Sequence, residues 1–395
     1  MAYTETTRTS YGQRVKNSFG GIVSGILLII IGTVLLWWNE GRAVKTTRML
    51  KEAAGVTVEM QDISKVDPQF EGKLVHATGA TATLDSLVDP DFGVGARAVK
   101  FNRKVEYYQW KETSQSTSKD KVGGSQETTT TYYYDKAWTS SPVNSEDFHD
   151  PSYKGRNTVK ARFENSGLTA ENVTFGAYRL NKPLISSISG EQDYIFSEAD
   201  AERISKELFK DATEADSTFI VSVKNNVVYF GQNPDAPAVG DVRITFTEVL
   251  PAEVSILATV LGDTFAPFTA KNGRNFEILA MGAKTSDQMY EGQHSTNKMI
   301  LWIVRILGII LVIGGFKNVF GFLETLAKVL PFVANILGAG IGLVCSVVGF
   351  AWSFVVIALA WVAYRPVLGI ALLVIAGALV WFLVSKKKKA APAAQ

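Results

Sequence analysis

Ser18–Trp38 reads SFGGIVSGILLIIIGTVLLWW, a run with no charged residue. About 20 apolar residues in an α-helix cross the ~30 Å hydrocarbon core of a bilayer. Trp37 and Trp38 end the run, where an aromatic belt belongs at the membrane–water boundary. A cleaved leader has a shorter apolar core and a small-residue cleavage site. This run is longer and leads into Asn39-Glu40-Gly41-Arg42, which predicts an uncleaved anchor over 17–39.

On the N-terminal side, residues 1–16 are rich in Thr and carry Arg8, Arg14 and Lys16, and read as a short mobile polar arm. At the other end of the chain the apolar pattern returns. Residues 298–317 predict a second span, 338–364 a third and 366–385 a fourth, with Arg365-Pro366 breaking the last two apart because proline cannot continue helical hydrogen bonding. Residues 318–337 are apolar but contain Lys317 at their edge, Glu324, Lys328 and Pro331, and predict an amphipathic segment at the interface, with a fifth span as the alternative. Residues 386–395 form a basic tail.

The intervening 40–297 is soluble in character. Strands are expected at Lys73–Thr83, Ala98–Thr113, Thr128–Trp138, Phe219–Phe230, Asp241–Val249 and Glu253–Leu261, with an exposed loop over Ser114–Gln126. Ser197 followed by an acidic first turn predicts a capped helix. The fold class is a multi-pass α-helical membrane protein with a large α+β, strand-dominated extramembrane domain. Four spans put both ends on one side. The run Lys386–Lys389, with Arg8, Arg14 and Lys16, makes that side cytoplasmic and sends 40–297 to a periplasm or lumen.

Net charge is +2, from 40 basic and 38 acidic residues, so no nucleic-acid partner is expected. The lone Cys345 makes no internal disulfide. His76, His149 and His294 are scattered without metal-ligand spacing, and no metal or cofactor is expected.

In order along the chain, Asn39-Glu40-Gly41-Arg42-Ala43, Glu71-Gly72-Lys73-Leu74-Val75-His76, Asp89-Pro90 with Phe92-Gly93-Val94, Tyr108-Gln109-Trp110, Val239-Gly240-Asp241-Val242-Arg243 and Tyr364-Arg365-Pro366 resemble the transmembrane protein 43 family, also called LUMA. The resemblance implies four spans and a large domain in a lumen or perinuclear space. In animal members it implies residence in the endoplasmic reticulum and inner nuclear membrane, self-association, and partnership with emerin and lamins. It supplies no catalytic residues. A bacterial member would sit in the inner membrane.

Candidate sites follow from costly or clustered residues. Arg305 lies within the second span, where a charge either pairs inside a bundle or snorkels; its nearness to Lys298 favours snorkelling. Gly21 with Gly25 and Gly338 with Gly342 fit small-xxx-small helix packing, within the chain or between copies. Asn39, Glu40, Gly41 and Arg42 form either a fixed junction, with Glu40 and Arg42 paired, or a solvated turn. Arg365 and Pro366 either meet the domain or headgroups or cap a tight turn. Tyr108, Trp110, Tyr133 and Trp138 belong to an aromatic-rich hairpin, half of it core and half a possible binding face.

The functional reading that follows is a membrane scaffold and organiser, not an enzyme, that self-associates and contacts lipid and other membrane proteins. A channel or channel regulator is second, resting on Arg305 and the glycine-rich third span. An enzyme acting on lipid or envelope material is third.

Overall fold

The computed structural model describes residues 2–208, 221–329 and 331–367. These form two compact units: Met1–Thr6 with Glu52–Thr117 and Thr129–Tyr290, and Thr7–Lys51 with Ser118–Thr128 and the chain from Glu291.

Helices α1 (Tyr11–Val56), α2 (Lys182–Ser187), α3 (Glu198–Leu208), α4 (Ser286–Ala327) and α5 (Pro331–Tyr364) are the α-helices of the described residues. Among them α1, α4 and the Gly340–Tyr364 part of α5 are long and apolar enough to cross a membrane. The chain is therefore an integral membrane protein carrying a strand-rich domain.

The ends of the long helices have local causes. Ser10 Oγ accepts the Gln13 N–H at the start of α1. Thr285 and Gln288 exchange hydrogen bonds in a capping box that opens α4. Proline stands at the first position of α5, where its missing N–H costs nothing. The expected interfacial segment 318–337 is not a separate element. Its first half continues α4 to Ala327 and its second half opens α5. The expected fourth span at 366–385 and the tail at 386–395 lie outside the described residues, apart from 366 and 367.

The strands, in chain order, are β1 (Ala2–Thr9), β2 (Val58–Glu59), β3 (Leu74–Thr83), β4 (Leu87–Val88), β5 (Gly95–Ala96), β6 (Lys100–Asp120) and β7 (Gln126–Thr139). Next come β8 (Ser166–Thr169), β9 (Val173–Phe175), β10 (Tyr178–Arg179), β11 (Glu191–Asp193), β12 (Val221–Lys224) and β13 (Val227–Phe230). The last are β14 (Val242–Val249), β15 (Glu253–Leu261), β16 (Thr264–Ala266), β17 (Phe268–Thr269), β18 (Asn275–Phe276) and β19 (Ile278–Met281).

One sheet has the order β1-β7-β6-β14-β13-β12. A second has the order β19-β15-β16-β10-β9-β3-β2, with an extra β15–β3 pairing that closes five of its strands into a ring, and β4-β5 and β17-β18 form two small two-stranded sheets. Alternation decides which side chains enter the cores. Phe101, Val105 and Tyr107 of β6 meet Val242, Ile244 and Phe246 of β14 in one core. Val75, Phe175, Tyr178, Val254 and Ile256 fill the other.

Three local expectations are corrected here. The N-terminal arm is a strand, β1, laid on β7, because its alternating Thr-rich sequence suits a half-exposed edge. Ser114–Gln126 is not a loop. β6 and β7 run on through it to a tight turn, and cross-strand hydroxyl pairs such as Ser116–Thr130 at 2.9 Å line the way. Phe219–Phe230 is not a single strand, since β12 and β13 form a hairpin turning at Asn225, whose φ of 55° suits asparagine in a tight turn.

Candidate functional site

α1 and α4 pack antiparallel along a seven-residue repeat. A Cβ on Gly25 would lie 2.6 Å from the Gly315 carbonyl oxygen, and the reverse distance is also 2.6 Å. One heptad on, a Cβ on Gly32 would lie 2.9 Å from the Gly308 oxygen. A further heptad on, Asn39 Nδ2 donates to the Leu301 carbonyl oxygen at 2.9 Å. Two glycine pairs thus bring the backbones together without side chains, and Asn39 ends the seam with a polar tie.

Beyond that tie the helices enclose charge. Arg305 Nε donates to Glu40 Oε1 at 2.6 Å, and Trp361 Nε1 of α5 donates to Glu40 Oε2 at 2.9 Å. Glu40 is 1% exposed and Arg305 is 8% exposed. The Arg305 guanidinium also lies over the Trp302 ring, 4.9 Å from its centroid, and 5.8 Å from that of Trp361. Burying a lone carboxylate or guanidinium is costly, and the pair is tolerable because each charge has a partner and further contacts.

The site extends one turn further. Arg42 Nη1 donates to Asn297 Oδ1 at 2.9 Å, and Asn297 Nδ2 donates to the Ala43 carbonyl at 3.0 Å. Asn297, Leu301 and Arg305 stand at four-residue spacing, which puts them on one face of α4. On α5, a Cβ at Gly41 would lie 2.6 Å from the Tyr364 ring, so only glycine admits that ring. Arg48 Nη2 donates to the Tyr364 carbonyl oxygen at 2.8 Å and satisfies a helix end that has no internal partner.

Several expectations change. Arg305 does not snorkel, because a buried counter-charge lies within reach. Glu40 pairs with Arg305 rather than with Arg42. The Asn39–Arg42 segment is not a solvated turn, since α1 continues through it and Asn39 and Glu40 are buried. Gly25 packs within the chain, and Gly21 lies beside the Asn318 carbonyl. Gly338 faces Glu324, while among the described residues nothing lies within 4 Å of where a Cβ on Gly342 would go. Arg365 lies over Trp361, 5.7 Å from its centroid, and its N–H donates to the Trp361 carbonyl; Pro366 is exposed. Sequence reading looked for glycines four apart and so missed the pairs seven apart, Gly25 with Gly32 and Gly308 with Gly315.

At the start of α1, Arg14 pairs with Asp120 at 2.8 Å and donates to the Gly124 carbonyl. Asp120 also lies 3.7 Å from Lys328. The hairpin tip therefore lies beside the start of α1 and the residues that follow α4.

The aromatic residues of the strand-rich unit are mostly partnered. Tyr108 meets Trp138, and Arg243 lies 4.3 Å from the centroid of the Trp138 ring. Trp110 packs edge-on to Tyr153. Tyr133 remains exposed. Sequence reading did not anticipate two carboxylates there. Asp241 is buried and takes hydrogen bonds from Lys160, Tyr229 and the Ala238 N–H; burial pushes its pKa up, but these bonds outweigh it and hold it below the ordinary range. Glu112 accepts from Tyr134 at 2.6 Å, from the His149 N–H at 2.7 Å and faces His149 Nδ1 at 2.8 Å; against the upward push of burial these contacts hold it low as well. His76 of β3 lies between Glu59 of β2 and the Lys284 carbonyl in the segment that follows β19.

The family model of transmembrane protein 43 matches residues 107–366. The chain belongs to the transmembrane protein 43 family. Transmembrane protein 43 of Homo sapiens is 28% identical over 393 residues, covering 97% of this chain and 94% of its own. That of Mus musculus is 28% identical over 373 residues, covering 92% and 89%. The Drosophila melanogaster homolog is 26% identical over 386 residues, covering 94% and 96%. No solved structure matches. In this transmembrane protein 43 family member the matched region takes in Arg305, Trp361 and Tyr364, and Glu40 lies N-terminal to it.

Proposed function

We propose that this protein is a membrane scaffold that self-associates and organises other membrane proteins or the surrounding bilayer through its spans and its strand-rich domain. The observation that carries the reading is the complete commitment of the Glu40 carboxylate. One oxygen takes Arg305 and the other takes Trp361, so α1, α4 and α5 are tied into one fixed anchor. A platform needs that rigidity. A channel that used Arg305 to line a path would need it facing water, and its burial against Glu40 removes the main support for that alternative.

Amine-reactive crosslinking of the full-length protein in native membranes tests the reading. A ladder of multiples of the chain is expected. A monomer band alone, at crosslinker concentrations that capture a known membrane oligomer, contradicts it.

A further inference from the structure

The sheet that begins with β1 leaves two long strand edges open. β1 is the terminal strand on one side, and among the described residues nothing pairs with its outer edge. On the other side, β14 pairs with β6 only over Lys100–Tyr107. The next outward-facing backbone groups are also occupied: the Tyr108 N–H donates to the Asp241 carbonyl, and Asn157 bonds both the N–H and the carbonyl of Trp110. From Glu112 onward the described residues supply no further strand, and Thr113–Thr117 is exposed.

These edges match. Tyr3 and Thr6 stand beside Tyr132 and Thr129, so β1 runs antiparallel to β7. Ser116 stands beside Thr130, and β6 is antiparallel to β7 as well. β1 and β6 therefore point the same way, and β1 is level with the open part of β6. Each edge carries a single glutamate, Glu5 or Glu112, and otherwise lacks the usual protections. Ala2–Thr6 and Glu112–Thr117 contain no proline and no lysine, and both are rich in Thr, Ser and other polar residues able to flank a backbone ladder.

We infer that these edges join copies of this chain, β1 of one copy adding as a parallel strand to the Glu112–Thr117 edge of the next. The inference rests on the proposed self-association and names its interface. Two different edges facing the same way make a head-to-tail contact, which propagates around a ring when the rotation closes. A face-to-face pairing of β1 with β1 would leave the β6 edge open.

Cysteine pairing in native membranes tests it. Within one chain β7 separates Thr4 from Gln115 by two strand spacings, about 9–10 Å, beyond the reach of a disulfide. On a C345A background that removes the native thiol, co-expressed T4C and Q115C chains carrying different tags should form a mixed disulfide dimer under mild oxidation, with T113C and T117C as register controls. Neither single-cysteine chain should crosslink to itself. S114P removes an outward N–H at the open edge, where proline is tolerated, and should abolish the mixed dimer and shorten the amine-crosslinked ladder while the protein stays membrane-bound and folded. A full ladder with no mixed dimer at any of the three positions would overturn the interface and leave self-association standing. No ladder at all would overturn the scaffold reading itself. T4C chains that crosslink to each other would replace the head-to-tail arrangement with a two-fold one.

Discussion

Arg305 of α4 donates to Glu40 of α1 across 2.6 Å while the other Glu40 oxygen holds Trp361 of α5. One carboxylate thus joins three helices that also share apolar packing among Leu36, Val312, Val356 and Ile357 and the hydrogen bonds of Asn39, Asn297 and Arg48. Dispersion and close backbone approach drive helix association in lipid, where the hydrophobic effect between helices is absent. A buried charge pair adds little net stability over an apolar pair of the same shape, but it is unforgiving of the loss of one partner.

The glycine seam makes the first prediction. G25A and G315A each place a methyl group 2.6 Å from a backbone oxygen that cannot move aside alone, so α1 and α4 must separate. Overpacking of this kind costs about 1–3 kcal/mol. A Cβ at Gly342 meets nothing within 4 Å among the described residues, and G342A should leave stability unchanged. Unfolding in detergent, followed by Trp fluorescence, compares the three.

Gly41 and Tyr364 should behave as a unit. G41A drives a methyl group into the Tyr364 ring and should destabilise the protein. Y364A on that background should recover part of the loss, because the obstacle is a side chain and not backbone. The same detergent unfolding assay applies, and additive effects of the two changes would exclude direct contact.

The sequence made the membrane class legible, since long uncharged runs have no stable alternative in water. It also showed Glu253–Leu261 and the helix after Ser197, where alternation and capping are local signals. What it hid depends on contacts distant in the chain. Glu40 and Arg305 are 265 positions apart, and nothing near either residue announces the other. The polar stretch Ser114–Gln126 has loop composition, yet pairing with β7 and then β1 makes it a ribbon. Spacing at seven residues in two separate spans was readable, but only once the spans are known to be antiparallel neighbours.

Acid should weaken the strand-rich domain. Asp241 and Glu112 are both held below the ordinary carboxylate range in the folded protein, so the unfolded chain binds their protons more readily. Their stabilisation is complete above the unfolded values, about pH 4 for Asp and Glu, and is lost as pH falls through the lower folded values. Thermal unfolding across this range should show the midpoint falling with pH. D241N and E112Q should each lower stability at neutral pH and flatten the acid dependence. A variant as acid-sensitive as the parent would show that its carboxylate does not contribute.

The fixed anchor itself is tested most directly by a double-mutant cycle on E40Q and R305Q, with unfolding free energy measured in the same detergent for all four proteins. Each single change strands a buried charge, and its loss should approach the ~3–5 kcal/mol typical of a broken buried pair. The double variant should lose less than the sum, with a coupling of roughly 1–3 kcal/mol. Losses that simply add, to within about 0.5 kcal/mol, would mean that Glu40 and Arg305 do not hold the helices together.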